Sequence, residues 1–300
     1  MRRLRVASVV ALLLGCQRTA PAVPELVEIS AGSYLMGCVP VDPDCHVDEQ
    51  PRHQERLPAP IWMQRTETTV GEWRDFARAT GYPSEAERAG RGRMFVVAHD
   101  AWEWIEGLSW ATPLTPGDSA PDNWPAVQVS PADAEAFCRW LGGRLPSEVE
   151  WERAARGGEE GRIHVWGDDS SPLRDGKPQV NGPDRLTLEQ FPRWKVFGDY
   201  IDGYATLAPV GSFPVNGYGL ADMAGNAYEW TADSYDSMAY RHSANRVPLA
   251  ESVDSSMRVV RGGGWGYEPD HFRISFRGYF EARGFWTATV GFRCVRDRAP

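Results

Sequence analysis

The chain has 300 residues, 41 of them acidic and 32 basic, with a net charge of −9 and a pI near 5.3. Nothing in that balance suggests nucleic acid or an anionic membrane surface as partner. Thirty glycines, 23 prolines and 13 tryptophans predict a loop-rich fold with aromatic anchors, in which long helices cannot dominate.

Residues 1–16 read as an export signal. Arg2, Arg3 and Arg5 precede an apolar run at positions 6–14, which is too short for a bilayer span of about 20 residues. Leu13-Leu14-Gly15-Cys16 has the form of a bacterial lipobox, whose cleavage would leave Cys16 as a lipid-modified N-terminus. The alternative is an ordinary secretory peptide. Residues 17–25 then form a short tether, and the expected location is the bacterial cell envelope, with the membrane as partner through the lipid anchor. The rest, residues 26–297, is long enough for one domain with a full core.

Strands are predicted at Leu26–Ile29 and at residues 34–36, around an Ala-Gly turn, and further on at 127–129, Met257–Arg261 and 292–295. Three helices are predicted from their caps. The first opens on Thr69-Val70-Gly71-Glu72, turns Trp73, Phe76 and Ala77 inward and ends at Gly81. The second opens on Ser130-Pro131 with the apolar stripe Ala134, Phe137, Cys138 and Leu141. The third opens on Ser147 with Glu150, buries Trp151, Ala154 and Ala155, and stops at Gly157. Residues 84–123 have no clear periodicity and read as a long surface insertion bordering a groove.

After Cys16, four cysteines remain, and an even number in an exported chain points to disulfides. Cys38 and Cys45 enclose a short loop with Pro40 and Pro43, which leaves Cys138 and Cys294 as a long-range bridge. A zinc site is excluded by spacing and by the lack of a nearby histidine pair. The stretch GYGLADMAGNAYEW at 217–230 places Asp222 and Glu229 seven residues apart among glycines. Such a loop can direct hard oxygens at a calcium ion, and it can equally be a surface turn closing onto Trp230.

Seven motifs occur in a characteristic order: MG…DEQPRH (36–53), ETTVGEWRDFARATGY (67–82), PAVQVSPADAEAFCRWLGGRLP (125–146), RLPSEVEWERAARGG (144–158), the 217–230 stretch, RGGGW (261–265) and GFRC (291–294). Together they resemble the formylglycine-generating enzyme family, the sulfatase-modifying factors. The resemblance implies a single α+β domain of irregular, loop-rich, C-type-lectin-like fold, and it supports the Cys138–Cys294 pairing. It further implies a structural calcium ion on Asp222, Gly225, Ala227 and Glu229, and a second on Asn181, Gly182, Asp202 and Tyr204. Active oxidases of this family resemble one another in a reactive cysteine pair just after the RGG-[ST]-[WY] motif. That pair binds copper(I), a soft ion that thiolates select, and acts on a cysteine of a sulfatase.

Residues 264–280 here read GWGYEPDHFRISFRGYF and contain no cysteine, so copper is not expected. Instead Trp265, Tyr267, Glu268, Asp270, His271, Arg273 and Arg277 crowd one segment. They suit a polar groove for an envelope protein, a peptide, a glycan or a small molecule, and equally a solvated loop with surface ion pairs. The leading expectation is a membrane-anchored, calcium-stabilised binding or accessory module without oxidase activity. The alternatives are a formylglycine-generating oxidase with an atypical site, and an enzyme of another reaction using His271.

Overall fold

A computed structural model describes residues 24–244 and 256–299. The predicted export signal, Cys16 and most of the tether lie outside the described residues. In chain order the elements begin with strands β1 (Leu26–Ile29), β2 (Gly32–Met36), β3 (His53–Leu57) and β4 (Ile61–Gln64). Helix α1 (Val70–Thr80), helix α2 (Glu85–Ala89) and the hairpin β5 (Arg91–Val96) and β6 (Ala101–Glu106) follow. Next come α3 (Pro131–Trp140), α4 (Glu148–Arg156), the short strands β7 (Leu173–Arg174) and β8 (Lys177–Pro178), and α5 (Arg185–Gln190). The chain continues through β9 (Tyr228–Ser234), α6 (Ala239–Ala244), β10 (Met257–Arg261), β11 (Gly278–Glu281), β12 (Val290–Gly291) and β13 (Val295–Arg296).

The three capped helices form as their sequences predict. Thr69 Oγ1 accepts from the Glu72 N–H at 3.1 Å while the Glu72 carboxylate accepts from the Thr69 N–H at 2.8 Å. Ser130 with Asp133 and Ser147 with Glu150 repeat this reciprocal cap, satisfying amides that a helix start leaves bare. Gly81 and Gly157 close α1 and α4 in the left-handed region, at φ 69° and 61°.

The strands predicted at Leu26–Ile29 and at 34–36 form on either side of the Ala31-Gly32 turn, β1 pairing with β4 and β2 with β3, both antiparallel. Two other predicted strands depart from expectation. Residues 127–129 join no ladder, because Gln128 adopts φ 58° and gives its backbone N–H to the Thr287 carbonyl. Only Val290–Gly291 and Val295–Arg296 are strand near the C-terminus, and between them the Phe292 carbonyl serves the Thr68 N–H instead.

Residues 84–123 are not a bare excursion. They hold α2 and the β5–β6 hairpin, whose faces are half-buried on both sides, so no clean period of two marks them. The hairpin is stitched to the body through Trp286 Nε1 on the Arg91 carbonyl (2.8 Å) and the Ala288 N–H on the Arg93 carbonyl (3.0 Å).

The core lies between α1, α3 and a four-stranded sheet of order β11-β10-β9-β12, in which β12 runs parallel to β9. Trp73 stacks on Phe137 at 5.8 Å and both meet Phe292 edge-on. Removing a ring such as Phe137 from such a site costs about 3–5 kcal/mol. Cys138 and Cys294 are disulfide-bonded through this core, with Cα atoms 5.5 Å apart, and Cys38 is joined to Cys45.

Helix α4 buries more than its apolar stripe. Glu148, Glu150, Glu152, Arg153 and Arg156 are buried beside Trp151. Glu148 takes Arg261 at 2.6 Å and Arg277 at 2.7 Å, and Glu152 takes Arg261 at 2.7 Å and Arg156 at 2.6 Å. Burial works against ionisation of Glu152, but Arg156 and Arg261 outweigh it and hold the carboxyl at about 2.

Candidate functional site

The segment between β10 and β11 leaves the sheet at Arg261 and returns at Gly278. Its predicted groove residues do not share one groove. Trp265 is core: it is buried, its Nε1 donates to the Ala288 carbonyl at 3.1 Å, and its ring packs against Phe191 and Trp194. Arg273 and Arg277 are buried too. Arg273 grips Glu49 at 2.6 and 2.7 Å and Asp42 at 3.1 Å, and Arg277 is committed to Glu148. Neither guanidinium is free to read a ligand.

The remaining side chains divide between two cavities. Glu268 and Asp270, with the wall of Arg273, line a large open one. Tyr267 and His271, with the wall of Arg277, line a smaller one of about 390 Å³. His46, just after the Cys38–Cys45 loop, borders both.

The smaller cavity is an aromatic chamber. Tyr228 enters it from the first position of β9, and Tyr235, Phe276, Tyr279 and Phe280 complete its walls. The Tyr228 hydroxyl lies 2.6 Å from His271 Nδ1. Burial raises the Tyr228 phenol well above its usual range and lowers the His271 imidazole, so the phenol stays protonated and donates while Nδ1 accepts. The imidazole proton is then on Nε2, 3.9 Å from Asp270 Oδ1, an oxygen with no hydrogen-bond partner among the described residues. The ring is fixed from both sides, stacked on Phe276 at 4.2 Å and on Tyr267 at 5.3 Å. The insertion does border this site, since Trp102 of β6 stacks on Tyr267 at 6.3 Å. Sequence reasoning missed Tyr228. The available signal was the strand alternation in AYEW, which sends Tyr228 and Trp230 to one face and Glu229 to the other.

The two predicted calcium loops are in direct contact. The Asn226 N–H donates to the Asn181 carbonyl at 2.9 Å and Asn181 Nδ2 to Asn226 Oδ1 at 3.1 Å. Gly225 sits at φ 82°, where a Cβ would run into that same Asn181 carbonyl. The donors of the two loops differ. Asn181 Oδ1 is buried without a partner, and the Asp202 carboxylate, fixed by the N–H groups of Gly182 (2.8 Å) and Tyr204 (2.7 Å), is pushed by burial up to about 7. Hard oxygens, one of them orphaned, fit a calcium ion.

At the other loop, both Glu229 oxygens are taken by Arg293 (2.6–2.9 Å) and by Trp151 Nε1 at 2.8 Å. A guanidinium there satisfies the carboxylate. Asp222 accepts from the Gly211 N–H at 2.5 Å. Nearby Glu67, fully buried, keeps Oε2 unpartnered among the described residues.

The chain matches the sulfatase-modifying factor enzyme 1-like domain over residues 14–298. It belongs to that family. Over 295 residues this family member is 34% identical to the formylglycine-generating enzyme of Thermomonospora curvata, which spans 91% of this chain and 93% of that one. The inactive C-alpha-formylglycine-generating enzyme 2 of Mus musculus is 32% identical over 260 residues, 81% of this chain and 74% of that protein. PvdO from Pseudomonas aeruginosa superimposes with a TM-score of 0.65 at 27% identity, over 91% of this chain and 94% of that one. The fold is the C-type-lectin-like fold of these sulfatase-modifying factor relatives. All four cysteines among the described residues of this member are disulfide-bonded.

Proposed function

We propose that this family member is a ligand-binding or accessory protein of the bacterial cell envelope, without the thiolate–copper chemistry of the oxidases. The observation that carries the reading is the state of the cysteines. Cys38 with Cys45 and Cys138 with Cys294 are spent as disulfides, and residues 264–280 offer none. A disulfide sulfur is no thiolate, and carboxylates, phenols and guanidinium groups are poor ligands for copper(I). Active and inactive relatives align at nearly equal identity, 34% and 32%, so overall similarity does not choose between them and the site chemistry must.

The aromatic chamber around Tyr228 and His271 is the seat proposed for the ligand, an envelope peptide or glycan. Calcium on Asn181 and Asp202 is proposed to hold the neighbouring loops, and a lipid on Cys16 to hold the chain at the membrane; Cys16→Ser is then expected in the soluble fraction of cells. A second reading is favoured by one contact. The 2.6 Å Tyr228–His271 pair can hold and pass a proton, which is the requirement for acid–base catalysis.

The test is copper(I) competition against a chromogenic chelator, with peptide mapping of the same sample. The expected outcome is no copper retained by the protein and no free thiol at Cys38, Cys45, Cys138 or Cys294. Stoichiometric copper(I) held by two of these cysteines would overturn the reading.

A further inference from the structure

The larger cavity holds about 950 Å³ and lies between the Cys38–Cys45 loop, the turn around His164, the segment at Phe197 and the 268–273 stretch. Five carboxylates face it and only two cations, Lys195 and Arg273. Both cations are already spent. Arg273 is bound by Glu49 and Asp42, and Lys195 pairs at 2.7 Å with Glu268. Among the described residues no lysine or arginine is within ion-pair distance of Asp44, Asp168 or Asp270, so the cavity carries uncompensated negative charge.

A second observation concerns hydrogen bonding. His164 also lines the cavity, is only 7% exposed, and its Nδ1 has no partner among the described residues. Its ring is stacked flat on Trp166 at 4.3 Å. Burial pushes this imidazole down to about 4, so at neutral pH it is uncharged and adds no positive charge to the lining. Asp270 Oδ1 is likewise unpartnered. The lining therefore carries an excess of acceptors and of negative charge, with both of its cations already paired. An occupant must bring N–H donors and positive charge.

A metal ion does not meet this description. Among the described residues, the one set of three His, Cys, Asp or Glu side chains with ligand atoms within 4.8 Å of one another is Cys38, Asp42 and Cys45, and its sulfurs are tied in a disulfide. The carboxylates are spread around a space far larger than one ion. Phe197 adds an aromatic wall of the kind that attracts ammonium and guanidinium groups.

We propose that this cavity is a second binding site, for an extended organic cation carrying alkylammonium or guanidinium groups. A polyamine and a lysine- or arginine-bearing peptide share that chemistry. The site goes beyond the function proposed above, and its test reads the same whether or not the protein oxidises a thiol.

The test is calorimetric titration of the whole protein with spermidine and, separately, with a trilysine peptide, at low salt and pH 7. Saturable one-to-one binding of at least one probe is expected, and whichever binds more tightly identifies the source. The Asp44→Asn/Asp168→Asn double variant should lose at least tenfold in affinity. Asparagine keeps the acceptor that the Ile163 N–H uses on Asp168, so the turn is preserved. Asp118→Asn/Asp175→Asn removes the same charge from exposed positions outside the cavity and should bind as wild type. No saturable binding of either probe, an equal loss in the two double variants, or one-for-one displacement of the probe by calcium would overturn the proposal.

Discussion

At the scale of single residues, buried charge sets the pH behaviour. His164 is held at about 4 by burial, against the pull of Asp42 and Asp168, whereas an unfolded chain has histidine near 6.5. Between these values the unfolded chain binds a proton that the folded chain does not, so stability falls as the pH drops from about 6.5 to about 4. A depression of this size is worth about 3 kcal/mol. Glu152 has the same sign in a lower window, contributing above about pH 4.5 and losing its contribution toward about 2. Urea midpoints at pH 7 and pH 4.5 check the histidine: His164→Phe is expected to lose clearly less stability across that interval than wild type. Arg277 gives a second expectation at this scale. Its guanidinium is buried on Glu148, and removing one partner of such a pair costs about 3–5 kcal/mol. Arg277→Ala should therefore lower the melting temperature sharply, where a surface groove residue would leave it unchanged.

Elements are held by links that cross long stretches of chain. The Cys138–Cys294 bridge spans 156 positions and ties α3 to the segment between β12 and β13. Replacing both cysteines by alanine is expected to cost about 2–5 kcal/mol, read as a lower urea midpoint. The loops around Asn181 and Gly225 have few ladder hydrogen bonds of their own, and Asn181 joins them. If calcium occupies the Asn181 and Asp202 oxygens, chelation should lower the melting temperature and Asp202→Asn should blunt that response. A melting curve indifferent to chelator, with metal analysis confirming an ion-free sample, would remove calcium from the account.

The same elements show where sequence was informative. Capping boxes at Thr69, Ser130 and Ser147 are local chemistry, written within four residues, and they mark three helices. The cysteine pairs were legible because few partners were possible. What sequence did not disclose was non-local. Whether Glu148 and Arg277 are surface charges or a buried pair depends on chain 129 residues away. The β5–β6 hairpin carries no clean alternation because both its faces are half-covered. The expected single groove was really two cavities, since the irregular segment turns Glu268 and Asp270 to one side and Tyr267 and His271 to the other. Tyr228 drew no notice because its partner, His271, lies 43 positions on.

For the whole molecule, the central claim is that a sulfatase-modifying factor scaffold is present here without oxidase chemistry. The scaffold is intact, from the capped helices to the disulfide through the core, while residues 264–280, just after the RGGGW motif, contain no cysteine. The binding surfaces around that segment, the aromatic chamber and the acidic cavity, are the features on which another role can rest. The most direct measurement supplies purified, copper-loaded protein with oxygen and a Cys-X-Pro-X-Arg peptide, and follows the peptide by mass spectrometry. The account predicts that the cysteine remains unconverted, at the level of a protein-free control. Formylglycine appearing at a rate proportional to the protein concentration would contradict it.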